Sequence, residues 1–454
     1  MKNIYYFNSR YLVFFSVVFL RVFLGSEVDA QVKEVPIQIN SIEETPLEEE
    51  TNIIEDETII NEDANNDNIF DKMNIKYRGF VRVRNYNNFR DNKYFPLNIR
   101  KQEIISTANI NLNKNLKNIS FIFDGELNYK HFDNEDDFLF NEIYSSYFYK
   151  NFHISGGKKV VNWSYGYAWS PSDMINNRRD PLDPSERRKG TDILSAEYMF
   201  KNTSVNVILQ LDSIKVNKHI KLSQDIRAIN TTIGSYFSEM SFPDESKTQY
   251  WGVMGKTHFN NNLDFYFETL SHKGRKAMLA REATLPTGNI YFFEKDSLKS
   301  NKNVMSYLIG LSYASLNSNF MFILEYYRNG SGYNKTEKNN FFDYASILSS
   351  KTELSDPEKI YAVQFNNINR QNYMRDYLFL STTKTNSSRN IEYGLNAIWS
   401  INDNSFVIIP QFKYIFFNQL TIMARLTSFL GSNKSEFGAK PISNTAMVDV
   451  SYFF

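Results

Sequence analysis

The chain of 454 residues contains no cysteine, so neither a disulfide nor a thiolate-bound metal contributes to its fold. Its five histidines are His131, His153, His219, His258 and His272, and none stands in a ligand spacing such as HExxH. No GxSxG elbow occurs either. These absences leave an enzyme reading without a motif, and we expect no catalysis and no cofactor. Beyond the first 30 residues, no run approaches the ~18 consecutive apolar residues that a membrane-crossing helix needs. Hydrophobic residues total 42%, yet aromatics alone reach 16%, with 29 Tyr and 38 Phe. Aromatics this frequent and aliphatics this scarce argue against a helical bundle. They suit strands with one wet and one apolar face.

The N-terminus has its own composition. Lys2 and Arg10 precede an apolar run from Tyr11 to Leu24, and Val28 and Ala30 suit cleavage before Gln31. Residues 1–30 therefore read as a signal peptide, although Arg21 interrupts the apolar run and an N-terminal anchor is the alternative. Segment 31–72 carries 13 acidic and 2 basic residues. It reads as a self-repelling, disordered linker, or as a tether to a basic partner or the cell wall. Formal charge is zero over the whole chain, so the body, 73–454, has a basic excess.

From Ile75 onward, short segments alternate between apolar and polar residues, the signature of half-wet strands. In the first, Lys76, Arg78, Phe80, Arg82 and Arg84 share one face, and Tyr77, Gly79, Val81 and Val83 the other. Similar alternation recurs near 262–270, 319–327, 389–400, 418–430 and in ten further segments. The expected architecture is all-β, a transmembrane antiparallel barrel of about 16 strands (range 14–18). The stretch 213–247 has room for one more pair. Short turns fall at Asn115-Leu116, Asn202 and Asn260-Asn261-Asn262. Long connections fall at 164–189, 213–247, 271–301 and 329–370, and barrels place such loops on the outside. The last strand sets Ala446, Val448, Val450, Tyr452 and Phe454 against Met447, Asp449, Ser451 and Phe453. It must close on the first strand, because an open edge in lipid strands backbone polar groups.

The stretch from Gly156 to Gly190 is the most distinctive. Trp163, Tyr165, Tyr167 and Trp169, two apart, read as a strand end. Pro171, Pro181 and Pro184 then exclude a strand. Arg178, Arg179, Arg187, Arg188 and Lys189 stand there against Asp173, Asp180, Asp183 and Glu186. Three readings fit this charged loop: it folds inward and constricts a lumen, it binds lipopolysaccharide phosphates through its guanidinium groups, or it is solvated with internal pairs. The four aromatics read as girdle or packing residues, or as a stacking track for sugar or lipid.

Three stretches carry a resemblance. They are GGKKVVNWSYGYAWSPSDMINNRRDPLDP (Gly156 to Pro184), LEYYRNGSGY (Leu324 to Tyr333) and GSNKSEFGAKPIS (Gly431 to Ser443). With them, the chain resembles poorly characterised Gram-negative outer-membrane porin-like barrels. The resemblance implies a transport or porin role in the bacterial outer membrane. For some such barrels it implies a link to export of lipid-like cargo. It supplies no substrate, and the acidic segment lies outside it. The tail, with Tyr452 and terminal Phe454, resembles the signal read by the barrel assembly machinery.

In a barrel, charged side chains face inward. Lys76, Arg78, Arg82 and Arg84 would then line one wall, joined by Lys413 and Arg425 from late strands. Asp124, Glu126, Glu268, Glu325, Glu392 and Asp449 would share the lumen. Cations facing carboxylates make a transverse field, from which we expect passage of small solutes with weak anion preference. The alternative is that these charges pair and fill the lumen, giving a plugged structural or adhesive barrel. The cluster Asp133, Glu135, Asp136 and Asp137 lacks the spacing of a calcium loop and reads as a solvated turn. Expected partners are the outer-membrane bilayer, lipopolysaccharide and small solutes, with no nucleic acid.

Overall fold

In the computed structural model, the described residues are 75–454, apart from positions 92, 96, 98, 134, 213–214, 242–246, 276, 287, 297–301, 316 and 417–418. The expected signal peptide (1–30) and acidic linker (31–72) lie outside them.

The unit Lys76–Phe454 opens with β1 (Lys76–Arg90), β2 (Gln102–Leu116), β3 (Ile119–Lys130), β4 (Glu135–Tyr149) and β5 (Phe152–Lys159). After a strandless stretch come β6 (Thr191–Phe200), β7 (Thr203–Leu211), β8 (Val216–Ile226), β9 (Thr231–Ser241), β10 (Lys247–Asn260) and β11 (Leu263–Lys273). A separate hairpin, β12 (Met278–Leu285) and β13 (Gly288–Lys295), precedes β14 (Asn303–Ser315) and β15 (Phe320–Arg328). Two helices, α1 (Lys335–Ser349) and α2 (Asp356–Asn369), lead into β16 (Asp376–Asn386) and β17 (Ile391–Ser400). The chain ends with β18 (Ser405–Phe416), β19 (Leu420–Leu430) and β20 (Ile442–Phe453).

Eighteen of these strands form one antiparallel sheet in which each pairs with the next, and β20 pairs back onto β1. The sheet is a closed barrel. Its strand number is the upper limit of the expected range, because 213–247 holds the pair β8–β9. The seam is fixed by register: Arg84 lies opposite Asp449 and Val83 opposite Val450. Backbone bonds link Gly79 and Phe454 in both directions. A side chain at Gly79 would strike the Asn109 carbonyl and the Phe454 ring, so only glycine lets the terminal residue dock there.

Eight turns of two to four residues and the β1–β20 termini lie at one end, and nine connections, six of them longer, lie at the other. On the outer face Val81, Val83, Leu194, Val205, Val207, Ile220, Leu222, Val448 and Val450 are exposed. On the inner face the neighbouring positions are polar or charged, such as Thr107, Asn109, Asp124 and Asp449. An apolar outside around a charged inside is the reverse of a soluble barrel, and it makes this a membrane-spanning one. Among the described residues, no helix is long and apolar enough to cross a membrane.

Candidate functional site

The stretch 160–190 leaves β5 and returns to β6 without entering the sheet. Here the strand-end reading of Trp163 to Trp169 is corrected: β5 stops at Lys159. The backbone donors that a strand would spend on a ladder go instead to two inward carboxylates. Glu268 on β11 accepts from the N–H of Tyr165 (2.5 Å), Gly166 (2.7 Å) and Ser172 (3.2 Å), and from the Ser172 hydroxyl (2.7 Å). Glu325 on β15 accepts from the N–H of Tyr167 (2.5 Å) and Ala168 (2.9 Å), and from the Tyr266 hydroxyl (2.7 Å). Both glutamates are fully buried. A buried carboxylate must be compensated, and convergent N–H groups do this without a counter-cation.

Register explains how the second anchor is built. Tyr266, Gly310 and Glu325 lie in one row across β11, β14 and β15. The absent side chain at Gly310 leaves room for the Tyr266 ring, which crosses β14 to reach Glu325. In the ring of strands β15 lies seven places beyond β6, so the loop crosses most of the lumen.

Its second half ties to the remaining walls. Arg187 donates to Asp124 on β3 (3.1 Å) and to Asn109 on β2 (3.3 Å). Glu186 pairs with Arg84 on β1 (3.1 Å), and Asp183 with Arg425 on β19 (2.5 Å). Two arginines work within the loop: Arg179 donates to the carbonyls of Gly166 and Tyr167, and Arg188 to Asp173 (2.6 Å). Arg178 and Lys189 are exposed. The loop therefore lies inside the barrel and contacts β1, β2, β3, β11, β15 and β19.

The wall charges expected from sequence fall as follows. Arg84 donates to Asp449 across the closing seam (2.9 Å), and Arg82 lies 3.5 Å from the same carboxylate. The Arg82 guanidinium also covers the Phe80 ring at 4.5 Å. Lys76 and Arg78 are exposed toward the turn end of β1. Lys413 lies directly opposite Glu392 on neighbouring strands. Asp124 accepts from Asn109, Asn111 and Asn141, and Glu126 from Asn128 and Asn141. This gives a wall from β18 through β20 to β4 in which arginines and carboxylates interleave.

The opposite side is apolar. Trp169 stacks on Tyr327 (5.2 Å between centroids) and lies against Tyr377 and Phe379. Trp163 is buried with Ile175, Ile193, Ile208, Tyr236 and Met254. These tryptophans are packing residues within the lumen, neither a girdle nor an open stacking track.

Sequence reasoning missed a cap made from the long connections. Hairpin β12–β13, helices α1 and α2, and the connections 91–101 and 431–441 share one core with the β14–β18 wall. Phe341, Phe342, Tyr361 and Phe365 are fully buried in it. Arg275 latches its base by bonding to Asp296, Glu337 and the Ser331 and Gly332 carbonyls. Burial pushes the Glu436 carboxyl above the usual carboxylate range and lowers the Lys440 ammonium below its ordinary value. The carboxyl accepts from the Tyr377 hydroxyl and the Tyr373 N–H.

One buried Ser–His pair has the look of a reactive site. His219 lies 2.9 Å from the Ser238 hydroxyl and 3.3 Å from Gln210. Both His219 and Ser238 are sealed from solvent, and Gln210 also donates to the Ile175 carbonyl of the inserted loop. The row holds the loop in place.

No family model matches the chain, and no curated protein matches it. Solved structures do. A triple mutant of the Rhodopseudomonas blastica porin is 10% identical, with 84% of this chain and 100% of that one covered at a TM-score of 0.43. Pseudomonas aeruginosa OccK5 (OpdH) is 11% identical, with 84% and 98% covered at 0.45. OccK11 (OpdR) from the same organism is 9% identical, with 83% and 96% covered at 0.46. The barrel assignment stands on this chain's own closed ladder.

Proposed function

We propose that this chain is a porin-like channel of the bacterial outer membrane. Small solutes cross it through a charged lumen narrowed by the stretch 160–190. The observation that carries the reading is the anchoring of that stretch by Glu268 and Glu325, which spends six hydrogen bonds on holding backbone and Ser172 across a polar interior. A barrel serving only as a wall has no need of an internal partition fixed at this cost. The apolar half of the loop packs toward the β6–β18 side, and passage runs beside its charged half, which Arg187, Glu186 and Asp183 tie to the interleaved wall from β18 through β20 to β4.

The same geometry supports weak anion preference. Glu268 and Glu325 are turned to holding the loop, and Asp124, Asp183 and Asp449 each share an arginine. Lys76, Arg78, Arg178 and Lys189 are exposed and add positive charge to the accessible lumen, beside the exposed carboxylate of Asp180. Tyr452 and Phe454 face outward at the closing seam, where assembly machinery would read them.

A second reading has its own support. The cap core continues into the lumen wall, as expected of a plugged barrel that acts in export or adhesion. Single-channel conductance of the inserted protein in a planar bilayer, with reversal potential in a salt gradient, separates the two. Stable openings with anion-biased reversal support the porin. A folded, inserted protein that never conducts would refute it in favour of the plug.

A further inference from the structure

The two rims of the barrel carry different charge. At the loop end, outward-facing charges are mixed and paired: Lys158 with Asp192, Lys247 with Glu239, and Arg328 with Asp376. At the turn end, no outward-facing strand position among the described residues is acidic. Four consecutive turns there present Lys117, Lys150, Lys201 and Arg227, all exposed. None of the four forms an ion pair among the described residues.

Backbone geometry makes the lysines informative. Lys117, Lys150 and Lys201 have positive φ, at 46°, 52° and 52°. Asparagine is the non-glycine residue that most readily accepts positive φ, and Asn230, Asn319 and Asn390 take it in other turns of the same rim. Lysine at three such positions works against the local preference, so the charge has a use there. The neighbouring residues point to that use. Lys150 lies over the Tyr149 ring and Lys201 over the Phe200 ring, and both rings are exposed on the outer face. The cations thus sit where the apolar belt ends. Neighbouring turns are two strand spacings apart, about 10 Å, close enough for their fields to add.

The geometry points to an arc, from the β2–β3 turn to the β8–β9 turn, that binds anionic phospholipid headgroups in the leaflet facing the turns. The phosphodiester is the ligand chemistry, and interfacial aromatics hold the cations at its depth. This surface does not depend on whether the lumen conducts.

The test measures boundary-lipid selectivity of the full chain by spin-label electron paramagnetic resonance. Bilayers of phosphatidylcholine would carry trace spin-labelled phosphatidylglycerol or phosphatidylcholine. Phosphatidylglycerol should be favoured about twofold or more at low salt, and the preference should shrink in ~1 M salt. Asn suits the positive-φ positions of Lys117, Lys150 and Lys201, and changing these three together with Arg227 to Asn should bring the ratio close to one. Lys158→Asn with Lys247→Asn, on the other rim, should leave it intact. Should the fourfold variant fail to insert, Lys117→Asn/Lys150→Asn and Lys201→Asn/Arg227→Asn are each expected to remove about half of the preference. Equal association of the two lipids with the unaltered protein would overturn the proposal, as would a preference that survives the arc substitutions.

Discussion

Replacing Glu268 with alanine should release the internal loop while leaving the barrel closed. The side chain accepts three backbone N–H groups and one hydroxyl. Each buried N–H left without an acceptor costs ~1–3 kcal/mol, so the three together set a range of ~3–9 kcal/mol. Water entering the vacated space will recover part of that, and the lower end, ~3 kcal/mol, is the working figure. It corresponds to about a hundredfold rise in the population of the released loop. Trypsin reads this population, because 178–189 contains Arg178, Arg179, Arg187, Arg188 and Lys189 inside a barrel too narrow for a protease. Glu268→Ala should be cut there about a hundredfold faster than the unaltered protein in the same micelles. Glu126→Ala removes an inward carboxylate whose partners among the described residues are Asn128 and Asn141, and should not change the rate. Equal cleavage of Glu268→Ala and the unaltered protein, with both barrels folded, would refute the anchoring argument whatever the conductance shows.

Other outcomes follow from the same structure. Arg275→Met leaves Asp296 and Glu337 without their cation and should destabilise the cap by ~3–5 kcal/mol, seen as faster hydrogen exchange in α1 and β12–β13 with the barrel strands unchanged. Phe341→Ala opens a cavity in the same core, costs ~3–5 kcal/mol, and should raise exchange in the same segments. In a salt gradient, Arg84→Gln should move the reversal potential toward cations and Asp449→Asn toward anions, since the two face each other across the seam. Gly79→Leu should lower the yield of heat-modifiable, folded barrel on gels by displacing Phe454.

Period-two alternation gave the barrel because lipid and water impose opposite demands on successive residues. It assigned the right faces in β1, β17 and β19, and placed Glu268 and Glu325 inward. It left β8–β9 only as room for one more pair inside a long connection, because inward Asn217, His219 and Lys221 and outward Lys218 make the segment look like a polar loop. It misread Trp163 to Trp169, whose spacing imitates a strand although the N–H groups of Tyr165 to Ala168 go to side chains. That distinction depends on residues more than 90 positions away and leaves no local trace. The cap helices did leave one. Asn334 with Glu337 and Ser355 with Glu358 form capping boxes, a spacing legible in the sequence but hidden among the polar residues around it. The anchoring role of the two glutamates had no signal, because an inward carboxylate looks the same whether it meets water or a backbone.

The seam between β1 and β20 also governs when the molecule can exist. Every other sheet pairing except β11–β14 and β15–β16 joins strands linked by a connection that passes through no other strand or α-helix, whereas Arg84 and Asp449 are 365 positions apart. Local hairpins can form in succession, but closure waits for the final residues, and pairing at such separation is intrinsically slow. Until then the growing sheet has two bare edges, each a template for the edge of another copy. A chain cut short before β20 would therefore be no smaller pore. It would be an open sheet that pairs with its neighbours, and its fate would be set by aggregation.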